Sequence, residues 1–165
     1  MTGKKNNQRK KLHIIGLGNP NRSDDALGLT VTKLLQEKIK NNDISFSYLL
    51  AGGIDLLYEI ENYEYVIIID AFQLKDEKIG KIFSWEISPD NIPTIPSIAS
   101  SHEFDLIKTI SLGFTMKASL MPQKIYLIGM QVENTVDFSL KLTDKVRKKI
   151  PKLIEKIYEL INKII

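Results

Sequence analysis

The chain has 165 residues, 43% of them hydrophobic and 26% charged, and a net charge of +3. That balance excludes a disordered or fibrous polymer, and the length suits one domain with a single core better than two. Cysteine is absent and only two histidines occur, His13 and His102, which removes disulfides, a thiol nucleophile and thiolate metal ligands from consideration. So small an excess of positive charge gives no ground for nucleic-acid binding. No apolar run approaches the length that spans a bilayer. The segment Met1 to Lys11 is polar and basic with no apolar stretch, so it does not read as a secretory signal. The expected organisation is a disordered basic tail over residues 1–11 and a single α/β domain over 12–165, in a cytoplasmic protein with no membrane association.

In chain order, Leu12 to Leu17 is a short apolar run ending at a glycine and reads as a buried strand. Leu27, Val31, Leu34, Leu35 and Ile39 have helical spacing within a segment from Ser23 to Lys40. Ile44 to Leu50 reads as a second strand. Gly52 and Gly53 open a helix through Leu56, Leu57 and Ile60. Tyr65 to Asp70 is apolar throughout until its last residue and is expected at the centre of the sheet. Lys81 to Ile87 alternates like a strand with one exposed face. Three prolines and several serines mark Ser88 to Ser101 as a long loop, of the kind that is usually functional. A helix from His102 to about Phe114, a strand from Lys124 to Val132 and a lysine-rich amphipathic helical segment from Phe138 to Ile165 complete the chain, with Pro151 breaking the last or starting its second half.

Strands alternating with helices predict a twisted, mostly parallel sheet covered on both faces. Ligands of such sheets bind outside the carboxyl ends of the strands. Three places then become candidates: Gly18 to Asp25, Asp70 to Phe72, and the start of the helix at His102.

The first of these is glycine-rich, Gly16-Leu17-Gly18-Asn19-Pro20, which invites a dinucleotide reading. The third glycine of that fingerprint is missing, since Asn21 stands there. Asp24 and Asp25 would also oppose a pyrophosphate at the helix N-terminus. Two readings of the acidic pair remain. Acidic residues in a first helical turn offset the macrodipole by about 0.3–1 kcal/mol each; alternatively, one of them carries chemistry. Asp70, at the mouth of an apolar strand, is either a turn-forming residue or a site carboxylate. Ser100 and Glu103 have capping-box spacing, which puts His102 in a first helical turn, where the dipole keeps the imidazole neutral and able to bind a metal. His13 lies on the first strand, away from the end where the site is expected, and reads as structural. Two carboxylates and one imidazole suit a borderline divalent ion or acid–base chemistry.

The run from Gly16 to Gly28, GLGNPNRSDDALG, resembles the opening of hydrogenase maturation proteases: a G-x-G-N turn, an acidic pair, and a glycine three residues after the second acid. Gly53 before Asp55-Leu56-Leu57, the strand ending Asp70-Ala71 and the helix opened by His102 follow in the same order. The resemblance implies a five-stranded, largely parallel sheet flanked by helices, like that of phosphorylases and related hydrolases. It implies an endopeptidase that trims the C-terminus of a nickel–iron hydrogenase large subunit precursor once nickel is in place. The metal and catalytic residues fall, by matching position, on Asp25, Asp70 and His102, supported by Gly16, Gly18, Asn19, Asp24 and Gly28. The nickel would be carried by the substrate, with no separate organic cofactor, and the protease would act as a monomer. Two departures stand out. Asp25 replaces a residue that is Glu in some members, one methylene longer, and Ala26 stands where many have Gly.

Gly16 to Pro20 is also similar to the opening of bacterial peptidyl-tRNA hydrolases. Those continue into a catalytic histidine, whereas Asp24 and Asp25 occupy that neighbourhood here. A third reading is a nickel-sensing escort that keeps the three ligands and does not cut.

Overall fold

The computed structural model describes residues 10–95 and 102–165; the side chains of 10 and 102–105 are not described. The expected tail therefore lies outside the described residues, except that its last two residues, Lys10 and Lys11, begin the first strand.

Five strands form one sheet: β1 Lys10–Leu17, β2 Ile44–Leu49, β3 Tyr63–Phe72, β4 Ile82–Ile87 and β5 Lys124–Gln131. Their order is β2-β1-β3-β5-β4. The first four in that order run parallel, and β4 closes one edge antiparallel to β5. The helices are α1 Leu27–Lys38, α2 Asp55–Ile60, α3 His102–Met116, α4 Asp144–Arg147 and α5 Ile150–Ile164.

Strand side chains alternate between two cores, as the pleat requires. Leu12 and Ile14 of β1, Ile67, Ile69 and Ala71 of β3, and Ile128 and Met130 of β5 face α1 and α5, where Val31, Leu35, Leu153 and Ile157 meet them. Ile15 and Leu17, Val66, Ile68 and Phe72, and Ile125 and Leu127 face α2 and α3, against Leu56, Leu57, Ile60, Leu106 and Ile110. This double coverage explains why β3 reads as an unbroken apolar run: its residues from Val66 to Phe72 are all buried. The edge strand β4 alternates instead, and its Phe83 and Trp85 pack edge-on to Phe72 with ring centroids 6.1 and 5.3 Å away.

Two expectations need correction. The first helix does not begin at Ser23: Ser23–Ala26 form a 3-10 turn, and the α-helix runs from Leu27 only to Lys38. The C-terminal segment is not helical from Phe138. Residues 138–143 are drawn into tertiary hydrogen bonds with the Asn21–Asp24 loop, and helix resumes only at Asp144. Pro151 sits in the first turn of α5, where its missing N–H costs nothing.

β1 leads through α1 to β2 on one side, whereas the connection leaving β3 goes towards β4 and β5 on the other. The carboxyl ends of these two adjacent strands therefore flank the point where the winding reverses. A crevice forms at such a point in open α/β sheets.

Candidate active site

At that point the chain leaves β1 through Gly18, whose φ of 140° belongs to glycine territory, and whose missing Cβ would lie 1.8 Å from the Asp25 carbonyl oxygen. Gly28 does the same service for α1. A Cβ there would stand 2.2 Å from the Ile69 oxygen and 2.3 Å from the Leu17 oxygen. The two glycines let the start of α1 rest directly on the ends of β1 and β3, which brings the intervening acids over the crevice. Gly16 is tight as well, packed against the Gly28 carbonyl.

The two acids of the pair do different work. Asp24 is fully buried. Its carboxylate accepts hydrogen bonds from the backbone N–H groups of Glu133, Asn134 and Thr143 at 3.2, 3.0 and 2.7 Å, and from the Thr143 hydroxyl at 3.0 Å. Its own N–H donates to the Asn134 carbonyl at 2.9 Å. Asp24 is thus a latch between the loop after β1 and the segment after β5, and not a cap of α1. Thr143 and Asn134 complete the latch without a sign in the sequence, where Thr143 falls inside the helical segment expected from Phe138.

Asp25 is half-buried and accepts the Asn19 N–H on Oδ2 at 2.9 Å. Asn19 in turn takes the Asn21 N–H on its side-chain oxygen at 2.9 Å, and its carbonyl takes the Arg22 N–H at 3.1 Å. The Asn19 turn therefore aims the Asp25 carboxylate. Neither acid makes the cap expected of a helix start: Ala26 is the residue before α1, and no side chain caps it.

Asp70 ends the apolar run of β3 and is 8% exposed. Its Oδ1 accepts the Ala71 N–H at 2.8 Å. By the alternation of the strand, Asp70 shares the face of Val66, Ile68 and Phe72, which is the α2–α3 face. Opposite it on β5 is Gly129, where a Cβ would lie 2.0 Å from the Asp70 carbonyl oxygen. Gly16 pairs with Ile69 across β1 and β3, so Asp70 stands level with the exit of β1. His102 is the first residue of α3 on that same face, and its side chain lies outside the described residues. Among the described residues no three His, Asp or Glu side chains cluster tightly enough to hold a metal; the expected trio includes His102 and is not judged by that. A carboxylate in the turn after β1, partly open to solvent, and one near the end of β3, nearly closed off, are each able to accept a proton from water or take part in ligating a divalent ion.

His13 has a different setting. It is buried in β1, hydrogen-bonded through Nδ1 to Ser45 Oγ and through Nε2 to Ser47 Oγ, both at 2.9 Å. Tyr63 stacks on its ring at 4.3 Å, and Glu59 lies 3.4 Å from Nε2. Its register partners are Ser45 and Val66, so it sits in the amino-terminal half of the sheet, away from the crevice.

Among the described residues no helix is long and apolar enough to cross a membrane. The family model for hydrogenase maturation proteases matches residues 29–160. That span starts one residue after Gly28, so the glycine-and-acid turn rests on its own geometry. The hydrogenase 2 maturation protease of Escherichia coli K12 is 25% identical over 162 residues, covering 89% of this chain and 88% of that protein. The structure of the hydrogenase maturating endopeptidase HybD from Escherichia coli superposes with a TM-score of 0.75 at 22% identity, covering 93% of each chain, which speaks for a shared fold. The NiFe hydrogenase maturation protease HybD from Thermococcus kodakarensis gives a TM-score of 0.68 at 25% identity, covering 91% of this chain and 98% of that one. The family match takes in most of the sequence and the fold agrees with it, so this chain belongs to the hydrogenase maturation proteases and is a peptidase.

Proposed function

We propose that the protein removes a C-terminal peptide from the precursor of a nickel–iron hydrogenase large subunit that already carries nickel. The observation that carries this reading is the family match over residues 29–160, with Asp25 in the 3-10 turn after β1 and Asp70 near the end of β3 supporting it. In this reading Asp25, Asp70 and His102 complete the coordination of the nickel held by the substrate. Two carboxylates and one imidazole are a modest ligand set for nickel, so most of the affinity comes from the substrate's own ligands. The ion reports that metal insertion is finished and fixes the nearby peptide bond against the site. A carboxylate then takes the proton of the attacking water. Binding energy realised only when the metal bridges both proteins is what separates a finished precursor from an unfinished one.

The test is direct. Nickel-loaded large-subunit precursor from the same organism is incubated with the protein, and the mass of the precursor is followed. Loss of a discrete C-terminal peptide is expected. A stable complex with unchanged precursor mass would make the protein an escort instead.

A further inference from the structure

Val136, Phe138 and Leu140 are 78%, 84% and 75% exposed. Three large apolar side chains at alternate positions within five residues form a patch that a monomer does not normally leave bare without use. The backbone beneath them is firmly tied. Asn134 Oδ1 accepts the N–H groups of Val136 and Asp137 at 3.0 Å each, and Asn134 Nδ2 donates to the Asp137 carboxylate at 2.6 Å. Ser139 donates its N–H to the Asn21 carbonyl at 3.0 Å and accepts the Ser23 N–H at 2.8 Å. Ser23 Oγ and Ser139 Oγ both donate to the Lys141 carbonyl, at 3.3 and 3.2 Å. Beyond these, the Asp24 carboxylate clamps the segment at both of its ends, residues 133–134 and 143. The apolar side chains therefore stand on a fixed ledge, and little backbone ordering is needed to dock against it.

The ledge is continuous with the candidate site. Ser23, bonded to Ser139, is two residues from Asp25, a span of chain that reaches at most about 7 Å. Phe138, the neighbour of Ser139, therefore stands close to the turn that carries Asp25. The charges nearby also choose among occupants. Arg22 and Lys141, both exposed, flank Phe138 and Leu140. Asp137, exposed between Val136 and Phe138, leaves the ledge with two cations to one acid, an excess that favours an acidic segment over a basic one.

We infer that the Val136–Phe138–Leu140 ledge is the surface on which the substrate protein docks, next to the bond to be cut, and that the docked segment presents apolar side chains with acidic neighbours that meet Arg22 and Lys141. This inference rests on the function proposed above. It adds the part of the protein that recognises the polypeptide rather than the metal.

The experiment compares the full-length protein with the triple variant Val136→Ser, Phe138→Ser, Leu140→Ser, and with Lys141→Glu, using nickel-loaded precursor. Such exposed substitutions leave the fold intact, which urea unfolding checks. The triple variant is expected to raise KM for the precursor about 10–100-fold while kcat at saturation stays within about twofold. Lys141→Glu is expected to raise KM less and to reduce its dependence on salt. A benzoylphenylalanine at position 138 is expected to cross-link to the precursor. An unchanged KM in the triple variant, with cleavage proceeding, would overturn the ledge and leave the protease reading intact. Should wild type fail to cleave, direct binding of the precursor decides separately: binding lost in the triple variant supports the ledge, and equal binding overturns it. A wild-type dimer that the triple variant dissolves would also overturn it, because the occupant is then a second copy.

Discussion

Thr143 holds the carboxylate of Asp24 from 119 positions further along the chain, with its backbone N–H at 2.7 Å and its hydroxyl at 3.0 Å. Through this bond and those from Glu133 and Asn134, the loop that carries Asp25 is fastened to the chain leaving the far strand β5. The adjacent acids thus differ in their partners: Asp24 ties the loop to distant chain, whereas Asp25, half-buried, accepts the Asn19 N–H of its own turn.

Replacing Asp24 by Ala takes the acceptor from three partly buried N–H groups and a hydroxyl. Hydrogen bonds to a charged group contribute about 1.5–3 kcal/mol each when made singly, and a group of them is not additive; a total loss of about 3–4 kcal/mol is expected. Asp24→Asn keeps part of the acceptor capacity and should lose less. Urea unfolding measures both. A cost below about 1 kcal/mol for the Ala variant would show that the latch is dispensable.

Asp25→Asn is expected to fold as wild type does, within about 0.5 kcal/mol, because an amide oxygen can still accept the Asn19 N–H. Cleavage of the precursor should be abolished, since a neutral amide is neither a base nor a good ligand. Precursor mass after overnight incubation is the readout. Cleavage at the wild-type rate would remove Asp25 from the chemistry.

Gly28→Ala puts a methyl group where backbone oxygens of both β1 and β3 already stand. Backbone cannot yield as a side chain end can, so α1 must lift from the sheet, at a cost of about 3 kcal/mol or more. The expected pattern is a lowered thermal midpoint together with lost cleavage, because the lift carries Asp25 with it. Stability equal to wild type would mean that the close approach is relaxed in solution.

His13→Ala should separate structure from chemistry. It removes a buried ring from a stack with Tyr63 and takes the ring partner from Ser47 and one of two partners from Ser45, a loss of about 2–4 kcal/mol. At a temperature where the variant is folded, cleavage should be unchanged. A folded but inactive variant would make His13 part of the mechanism.

The role assigned to the metal has its own test. A divalent ion soaked into crystals of the protein is expected among Asp25, Asp70 and His102 with bonds of about 2.0–2.2 Å. His102→Ala should lose cleavage even at saturating precursor, and wild type should leave a metal-free precursor uncut. Efficient cleavage of metal-free precursor in the presence of a chelator would discard the nickel-bridging mechanism while leaving a peptidase.

The architecture was legible in the sequence because its causes are local. Continuous burial of β3 shows as an apolar run, the amphipathic faces of α1 and α5 show as helical spacing, and their alternation forces a parallel sheet. That the carboxyl ends of β1, β2, β3 and β5 lie together followed from the same alternation, since these strands run parallel. The different partners of Asp24 and Asp25 could not be read in this way. Adjacent acids after a glycine turn look alike until the partners arrive, and those of Asp24 come from Glu133, Asn134 and Thr143, more than a hundred residues away. The same distant bonds decided that 138–143 is a tied, irregular segment although its composition suits a helix. Local propensity is worth tenths of a kcal/mol per residue, and a buried carboxylate in need of four donors outweighs it.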